Sequence, residues 1–295
     1  MDELSDFVDL SLWTPYQDEP AGENEKTWFR DSDGGLWIFK RNRPHRSPNE
    51  HATEFIASRL AEMLGVPAAT VRLARVGDHI GCISKDVKSD ARNQLDSGSL
   101  FLSEIVPDFD PRDRHSRGHS LENIARVLLN VAPPIGHEAQ DLSAAGWFAG
   151  FLVLDALIGN QDRHSENWSI EITPDGTYHL APSYDHATSL GIVQRNPEKL
   201  NRLVNDPGAI RQFAAKATGG RFEGMAKVPL VDVASQFCLD VGPAVTTHWA
   251  SAIAGLDIGA AAEIVARGKM SSPSDTLALE LIRINKERLV TCLRS

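Results

Sequence analysis

The spacing of the apolar residues changes once along the chain, near residue 88, and this change restricts the fold class. Before it, short runs rich in β-branched and aromatic residues surround one helical pattern, whereas after it long apolar stripes recur at helical spacing. Strands followed by a run of helices are typical of an α+β chain. We therefore predict a small strand-rich N-lobe, residues 1–88, and a larger, mainly helical C-lobe, residues 89–295.

The N-lobe pattern predicts two pairs of strands separated by one helix. Residues 28–40 contain two strand-like runs joined by the turn sequence Asp33-Gly34-Gly35, which predicts a hairpin. Apolar residues at helical spacing predict a helix over residues 47–65. Strands at residues 69–76 and 79–85 complete the predicted order of strand, strand, helix, strand, strand.

The C-lobe pattern predicts helices with one exception. The turn sequence Pro174-Asp175-Gly176 separates two short strand-like runs, so a lone hairpin is predicted within residues 168–180. The helices are predicted at residues 120–131, 143–158, 209–217, 230–241, 244–255, 258–267 and 274–293.

Charge and cysteine usage exclude several classes of partner and compartment. The 30 Lys and Arg against 40 Asp and Glu leave a formal charge of −10, which disfavours direct binding of nucleic acid or an anionic membrane. Cys82, Cys238 and Cys292 are odd in number and far apart, as in proteins of a reducing compartment. The acidic start does not resemble a signal peptide, and the apolar stretch at residues 147–158 is too short to span a bilayer. We expect a cytoplasmic protein.

The most specific motif is GNQDRHSENWSI, residues 159–170, directly after an apolar helical pattern. Asp162 and Asn167 have the spacing of a kinase catalytic loop, in which the Asp accepts a proton from the substrate hydroxyl and the Asn holds a metal ion. The predicted hairpin starts just after Asn167 and returns just before Asp185, so these two residues should lie side by side as oxygen ligands for Mg²⁺. Backbone hydrogen bonding in a turn explains the spacing alone, but not this whole combination.

A strand lysine provides the positive charge that nucleotide phosphates require. Lys40 ends the second strand of the first hairpin, and Glu54 and Glu50 lie one turn apart in the following helix. Glu54 is the favoured partner because it stands directly before the main apolar run of that helix. Taken alone, Lys40 is more simply a solvated lysine next to Arg41 and Arg43.

Five segments carry a resemblance to a known family. They are A-G-E-N-E-K-T at residues 21–27, W-I-F-K at 37–40, E-F-I-A-S-R-L-A-E-M-L-G-V-P at 54–67, G-N-Q-D-R-H-S-E-N at 159–167 and Y-D-H at 184–186. In these segments the chain resembles the HipA-like serine/threonine kinases, the toxin kinases of toxin–antitoxin systems, over about residues 20–190. The pattern N-x-D-x-H-x-x-N, followed by Asp185, is the most specific match. The resemblance implies a two-lobed protein-kinase-like fold with ATP bound between the lobes.

The resemblance also implies a role for each matching residue. Asp162 would be the catalytic base, supported by the pair Lys40 and Glu54, and Asn167 and Asp185 would be the Mg²⁺ ligands. The implied nucleotide-binding residues are Ala21, Gly22, Glu23, Asn24, Glu25 and Lys26 in a phosphate-covering loop, Lys40 at the α- and β-phosphates, Ser84, Lys85 and Asp86 in an adenine-binding hinge, and His164, Ser165, Glu166, Asn167, Tyr184 and Asp185 in the rest of the pocket.

The implied reaction transfers the γ-phosphoryl group of ATP to a Ser or Thr of a protein, such as an aminoacyl-tRNA synthetase or another component of translation. A toxin of this kind would inhibit growth and be neutralised by an antitoxin. The chain departs from the family pattern in two ways. Glu19 stands where relatives often carry an inhibitory phosphorylated serine. The chain begins almost at the phosphate loop, so we expect the extra N-terminal subdomain of the longer toxins to be absent, and a separate partner could supply it.

Three other functions fit parts of the sequence. A small-molecule or phosphoinositide-type kinase would share the architecture. A nucleotide-binding regulatory pseudokinase would act through a partner, although the filled catalytic positions argue against it. A metallohydrolase would use Asp162, His164, Asp185 and His186 and would make Lys40 irrelevant.

The segment from Asp110 to His119 is a polar stretch of mixed charge. Asp113, His115 and His119 are metal-ligating residue types, but their spacing lacks the geometry of a strong site. We expect a solvated loop.

Overall fold

The computed structural model describes residues 7–19, 26–42, 49–138, 140–192 and 196–294, and its N-lobe is built around a six-stranded sheet. The elements are β1 (Val8–Asp9), β2 (Thr14–Glu19), β3 (Lys26–Arg30), β4 (Leu36–Arg41), α1 (Glu50–Leu64), β5 (Val71–Val76) and β6 (His79–Lys85). The strands lie in the order β1-β5-β6-β4-β3-β2, and all neighbours are antiparallel except β1 and β5.

The predicted first hairpin is confirmed as β3 and β4. Asp31 closes the turn, because its Oδ1 accepts a hydrogen bond from the Gly35 amide at 2.7 Å and its Oδ2 accepts one from the Trp37 indole at 2.8 Å. The sequence pattern does not predict β2, since Pro15 and two acidic residues disfavour a strand. At the edge of a sheet, where β2 lies, such residues are tolerated.

The predicted N-lobe helix is confirmed as α1, although residues 47 and 48 lie outside the described residues. It ends at Gly65, which has a φ of 71° and donates its N–H to the carbonyls of Ala61 and Glu62. Its contacts with β5, β6 and α4 place one apolar stripe in the core. The stripe consists of Phe55, Ile56, Leu60 and Leu64.

The C-lobe is mainly helical, as predicted. Its elements are β7 (Gln94–Ser97), α2 (Gly98–Ile105), α3 (Leu121–Leu128), α4 (Ala144–Ile158), β8 (Ser169–Ile172), β9 (Tyr178–Leu180), α5 (Pro197–Val204), α6 (Pro207–Ala215), α7 (Leu230–Val241), α8 (Pro243–Gly255), α9 (Ile258–Arg267) and α10 (Ser274–Arg294). The helices α2 and α5, each of eight residues, were not predicted, whereas α3, which has the same length, was. The lobe boundary near residue 88 stays a prediction.

The predicted second hairpin is present as β8 and β9, but the prediction that it is a lone hairpin was wrong. Strand β7 pairs with β8, which makes a three-stranded sheet. The carboxylate of Glu171, 1% exposed on β8, accepts hydrogen bonds from Ser89 at 2.6 and 2.8 Å and from Asn93 at 2.7 Å. These long-range bonds hold the segment before β7 against β8, and no local pattern in β7 signals them.

Helix α4 lies at the centre of the C-lobe, packed against α7, α8 and α10. A Cβ atom at Gly150 would lie 2.2 Å from the ring of Trp249, so glycine is required for this close approach. The helix ends at Gly159, which has a φ of 67° and donates its N–H to the Asp155 carbonyl. The polar GNQDRHSEN motif therefore starts from a rigid, buried support.

In the described part of the chain, no single helix is both long enough and apolar enough to cross a membrane. The pair α8 and α9, bent by 71°, passes the same criteria of length and composition when taken together.

Candidate active site

Lys40 lies between two carboxylates from separate parts of the chain. Trp37 and Phe39 on β4 point to one face of the sheet, so Lys40 points to the opposite face, which α1 covers. Its Nζ donates to the carboxylate of Glu54 on α1 and, at 3.0 Å, to Asp185 Oδ1. The structure thus joins the strand lysine to the helix carboxylate that the sequence favoured.

A second set of bonds ties α1 to the segment that carries Asp185. Glu54 is 2% exposed, and its Oε2 accepts the backbone N–H of His186 at 3.0 Å. The Thr53 hydroxyl donates to the Ala187 carbonyl at 2.7 Å. The position of α1 and the position of Asp185 are therefore coupled.

The electrostatics of this cluster keep Lys40 charged. Burial alone would lower the pKa of Lys40, but the carboxylates of Asp185 and Glu54 outweigh burial and raise the pKa well above its ordinary value. Asp185 itself has a φ of 60°, a left-handed conformation that Asp tolerates better than most residues. Its side chain is 43% exposed and that of Lys40 is 24% exposed, so both groups are accessible to a ligand.

The GNQDRHSEN segment folds back on itself around Asp162. The carbonyl of Asp162 accepts the His164 amide at 2.8 Å and the Asn167 side-chain Nδ2 at 2.7 Å. Because Nδ2 is used in this bond, Asn167 Oδ1 points away from it and is available to a cation. An amide oxygen and a carboxylate such as that of Asp185 are the donor types that Mg²⁺ binds together with phosphate and water oxygens.

Arg163 brings the two candidate metal-ligand segments together. Its buried guanidinium forms a salt bridge with Asp155 on α4 at 2.7 Å. Its Nη1 donates to the carbonyl of Asn167 at 2.6 Å and lies 3.4 Å from that of Tyr184. Sequence reasoning missed this pair. Asp155 is the one charged residue in an otherwise apolar helical segment, and since a buried charge requires a partner, it could have predicted an oppositely charged residue nearby.

The remaining predicted site residues fall into three groups. Ser84 and Lys85 are the last residues of β6, and Asp86 follows them. The Asp86 amide donates to the Leu36 carbonyl at 2.9 Å, so these three residues lie where the chain leaves the six-stranded sheet. The Tyr184 hydroxyl contacts Ser169 at 2.6 Å and donates to the Glu166 carbonyl at 3.0 Å, which braces the end of the GNQDRHSEN segment. The predicted phosphate loop, Ala21 to Glu25, lies outside the described residues, and Lys26 opens β3 opposite Lys40.

The metallohydrolase alternative has no support in the structure. Among the described residues, no group of three or more His, Cys, Asp or Glu could hold a metal ion. His186 is buried, which lowers its pKa well below the ordinary value, and its Nε2 lies 2.8 Å from the Ser183 hydroxyl.

Asp162 has an ion-pair partner that sequence reasoning missed. Arg221, in the loop between α6 and α7, contacts Asp162 Oδ1 through Nε at 2.8 Å and through Nη2 at 2.6 Å. The residues are 59 positions apart, and no local signal connects them.

The expectation of a solvated loop over residues 110–119 was wrong at its end. His119 is 2% exposed, stacks on Phe222 with ring centroids 5.1 Å apart, and lies 2.5 Å from the Arg221 carbonyl through Nδ1. Its Nε2 accepts the indole N–H of Trp168 at 3.2 Å. Burial lowers the pKa of His119 to about 4, so its ring is neutral at physiological pH.

This burial predicts a loss of stability in mild acid. The ordinary pKa of His119 is 6.5, so as the pH falls below 6.5 the unfolded state gains a proton that the folded state does not accept until about pH 4. The contribution is fully present above pH 6.5, and we expect a loss of about 3 kcal/mol in the free energy of unfolding by pH 4. Urea unfolding at several pH values should show a shallower acid slope for His119→Gln than for the wild type. Equal slopes would contradict the buried, neutral ring.

Comparison with known proteins supports the fold and identifies the family. The family model of the HipA-like C-terminal domain matches residues 19–236. The proinflammatory kinase CtkA of Helicobacter pylori superposes with a TM-score of 0.74 at 15% identity, over 97% of this chain and 96% of that chain. No curated protein matches the chain.

Two further solved structures are more distant. The Golgi casein kinase with Mn/ADP bound has a TM-score of 0.48 at 12% identity, over 96% of this chain and 74% of that chain. HipA of Shewanella oneidensis MR-1, from a toxin–antitoxin complex with HipB and operator DNA, has a TM-score of 0.42 at 14% identity, over 95% of this chain and 65% of that chain.

The fold assignment rests on the superposition with CtkA, which extends over nearly all of both chains and confirms the predicted protein-kinase-like fold. The family model covers most of the chain and includes β3, β4, α1 and the whole GNQDRHSEN segment. The chain belongs to the family of the HipA-like C-terminal domain.

Proposed function

We propose that the chain is an ATP- and Mg²⁺-dependent kinase that phosphorylates Ser or Thr of a protein. The observation that carries the proposal is the contact of Lys40 with Glu54 and Asp185, which joins β4, α1 and the segment after β9 at one point. Family membership and the protein-kinase-like fold support a kinase.

Each side chain of the cluster has a task that its environment suits. Lys40, held charged by its two carboxylates, would bind the α- and β-phosphates. Asn167 Oδ1 and Asp185 would hold Mg²⁺, which when bound neutralises charge on the β- and γ-phosphates. Asp162 would accept the proton of the acceptor hydroxyl, since a carboxylate within hydrogen-bond reach can act as a general base.

The substrate and partners are proposed from the family alone. We propose a protein of translation, such as an aminoacyl-tRNA synthetase, as the substrate, and a protein antitoxin as a partner. The formal charge of −10 supports protein partners over direct contact with nucleic acid. The odd, scattered cysteines support a cytoplasmic setting.

Incubation of the purified chain with a cell lysate and ATP labelled in the γ-phosphate tests this proposal. We expect label on a protein, with phosphoserine or phosphothreonine after acid hydrolysis, and strongly reduced label when Asp162→Asn replaces the wild type. Label confined to the lipid or small-molecule fraction would favour the other kinase class. ATP binding without any transfer would favour a regulatory pseudokinase.

A further inference from the structure

The ion pair between Arg221 and Asp162 uses only half of the carboxylate. Nε and Nη2 of Arg221 both contact Oδ1 of Asp162. In the described part of the chain, Oδ2 of Asp162 has no hydrogen-bond partner. The two side chains are 50% and 30% exposed, so the pair is accessible to solvent. A pair this exposed contributes little to stability, so its main effect is on the orientation of the Asp162 carboxylate.

The loop that carries Arg221 is fixed to the C-lobe on both sides of this residue. The Thr218 amide donates to the side chain of Gln161, the neighbour of Asp162, at 3.1 Å. The Glu223 amide donates to the His119 carbonyl at 2.9 Å, and Glu223 Oε2 accepts the Gly118 amide at 2.9 Å. Arg221 therefore reaches Asp162 from a rigid backbone.

His119 connects this loop to the GNQDRHSEN segment through a defined tautomer. The indole of Trp168 can only donate, so His119 Nε2 must be the unprotonated nitrogen. The proton of the neutral ring is then on Nδ1, which donates to the Arg221 carbonyl. Trp168 directly follows Asn167, so one buried ring links Arg221 to the residue beside a proposed Mg²⁺ ligand.

We propose that Arg221 is a positioning residue that holds Asp162 Oδ1 and so presents Oδ2 to the hydroxyl of the acceptor. This inference rests on the proposed function. In the transfer step the acceptor oxygen bonds to the γ-phosphorus, its proton passes to Oδ2, and the bond from the γ-phosphorus to the β–γ bridging oxygen breaks. ADP leaves with that electron pair, and Oδ1 stays on Arg221 throughout.

The orientation matters because an Asp side chain that is 30% exposed can rotate away from a productive position. A planar guanidinium with two nitrogens on one oxygen restricts that rotation more than a single ammonium donor would. Misplacement of a reacting group by about 1 Å can cost on the order of 10²-fold in rate. Removal of Arg221 should therefore affect the transfer step and not nucleotide binding.

A double-mutant cycle tests this role, with the lysate fraction that the wild type labels as the acceptor. Under single-turnover conditions we expect Arg221→Ala to be about 10- to 100-fold slower than the wild type, with Mg²⁺-ATP affinity changed less than about twofold. Arg221→Lys should recover part of the rate. In the Asp162→Asn background, Arg221→Ala should add less than about a twofold loss, because the group that it positions is already absent.

Arg211→Ala is the matched control, since Arg211 on α6 forms a comparable exposed pair with Glu287 at 3.1 Å. It should leave the rate unchanged.

The link from Trp168 through His119 to the Arg221 carbonyl is tested by comparing two variants. His119→Gln keeps one hydrogen-bond donor and one acceptor, whereas His119→Phe removes both. Only His119→Phe should reproduce the loss seen in Arg221→Ala, and its melting temperature shows whether it is folded. Because the Arg221 side chain is half exposed, the rate of Arg221→Ala tests the inference without the risk that a core substitution prevents folding.

Several results would overturn the inference. Arg221→Ala at or above the wild-type rate would show that Arg221 is dispensable or inhibitory. An equal loss in both backgrounds would show that it acts elsewhere, and a parallel loss of ATP affinity would assign it to the nucleotide. A wild type that transfers no phosphoryl group would instead overturn the proposed function, and this inference with it.

Discussion

Replacing Asp162 with Asn is expected to slow phosphoryl transfer by about 10²–10⁴-fold, the usual contribution of a general base. The amide keeps the shape of the side chain but cannot accept the acceptor proton. Mg²⁺-ATP affinity should stay within about twofold of the wild type, because the nucleotide contacts proposed here belong to Lys40, Asn167 and Asp185. Single-turnover kinetics and calorimetric titration with Mg²⁺-ATP measure the two quantities separately.

Asp78→Asn provides a matched control for this substitution. Asp78 lies in the exposed turn between β5 and β6, and its change removes the same charge from the chain. It should leave both rate and affinity unchanged. A wild-type rate in Asp162→Asn would contradict the assignment of the base.

Replacing Lys40 with Met is expected to lower both activity and stability, for two separate reasons. The loss of a preorganised charge on the phosphates should reduce the transfer rate by about 10²–10³-fold. Glu54, 2% exposed, would lose its counter-ion, and an unpaired buried carboxylate should reduce the free energy of unfolding by about 3 kcal/mol. Urea unfolding tests the loss of stability, and single-turnover kinetics test the loss of rate. Calorimetric titration with Mg²⁺-ATP measures the loss of nucleotide affinity that removal of this charge should also cause.

The double variant Lys40→Met, Glu54→Gln separates these reasons. A neutral Gln no longer needs the ammonium and can still accept the His186 amide, so stability should return towards that of the wild type. Nucleotide affinity should stay low, because the positive charge is still missing. Recovery of ATP affinity in the double variant would contradict the proposed contact of Lys40 with the phosphates.

Local chemistry explains the elements that the sequence predicts well. The first hairpin, α1 and α7 each have a turn, a cap or an apolar stripe contained within their own residues, and these signals act over a few positions. The sequence also favoured Glu54 over Glu50 as the partner of Lys40, because Glu54 stands directly before the main apolar run of α1, and the structure joins these two side chains.

Other features depend on partners far away in the chain. Strand β7 exists because β8 pairs with it, and eight-residue helices such as α2 gain their stability from packing more than from their own pattern. A residue such as His119 looks like a surface histidine in its polar segment until Trp168 and Phe222 enclose it.

The sequence by itself determined the strand-rich and helical halves, the GNQDRHSEN motif and the residues with the chemistry of a kinase, because periodicity and motif spacing are properties of neighbouring residues. The tertiary structure alone decided that Arg163 pairs with Asp155 between the candidate metal-ligand segments, and that Arg221 holds one oxygen of Asp162. The physical reason is that a charged side chain selects its partner by distance in three dimensions and, for the buried pair of Arg163 and Asp155, by the cost of desolvation. Sequence separation carries no information about either.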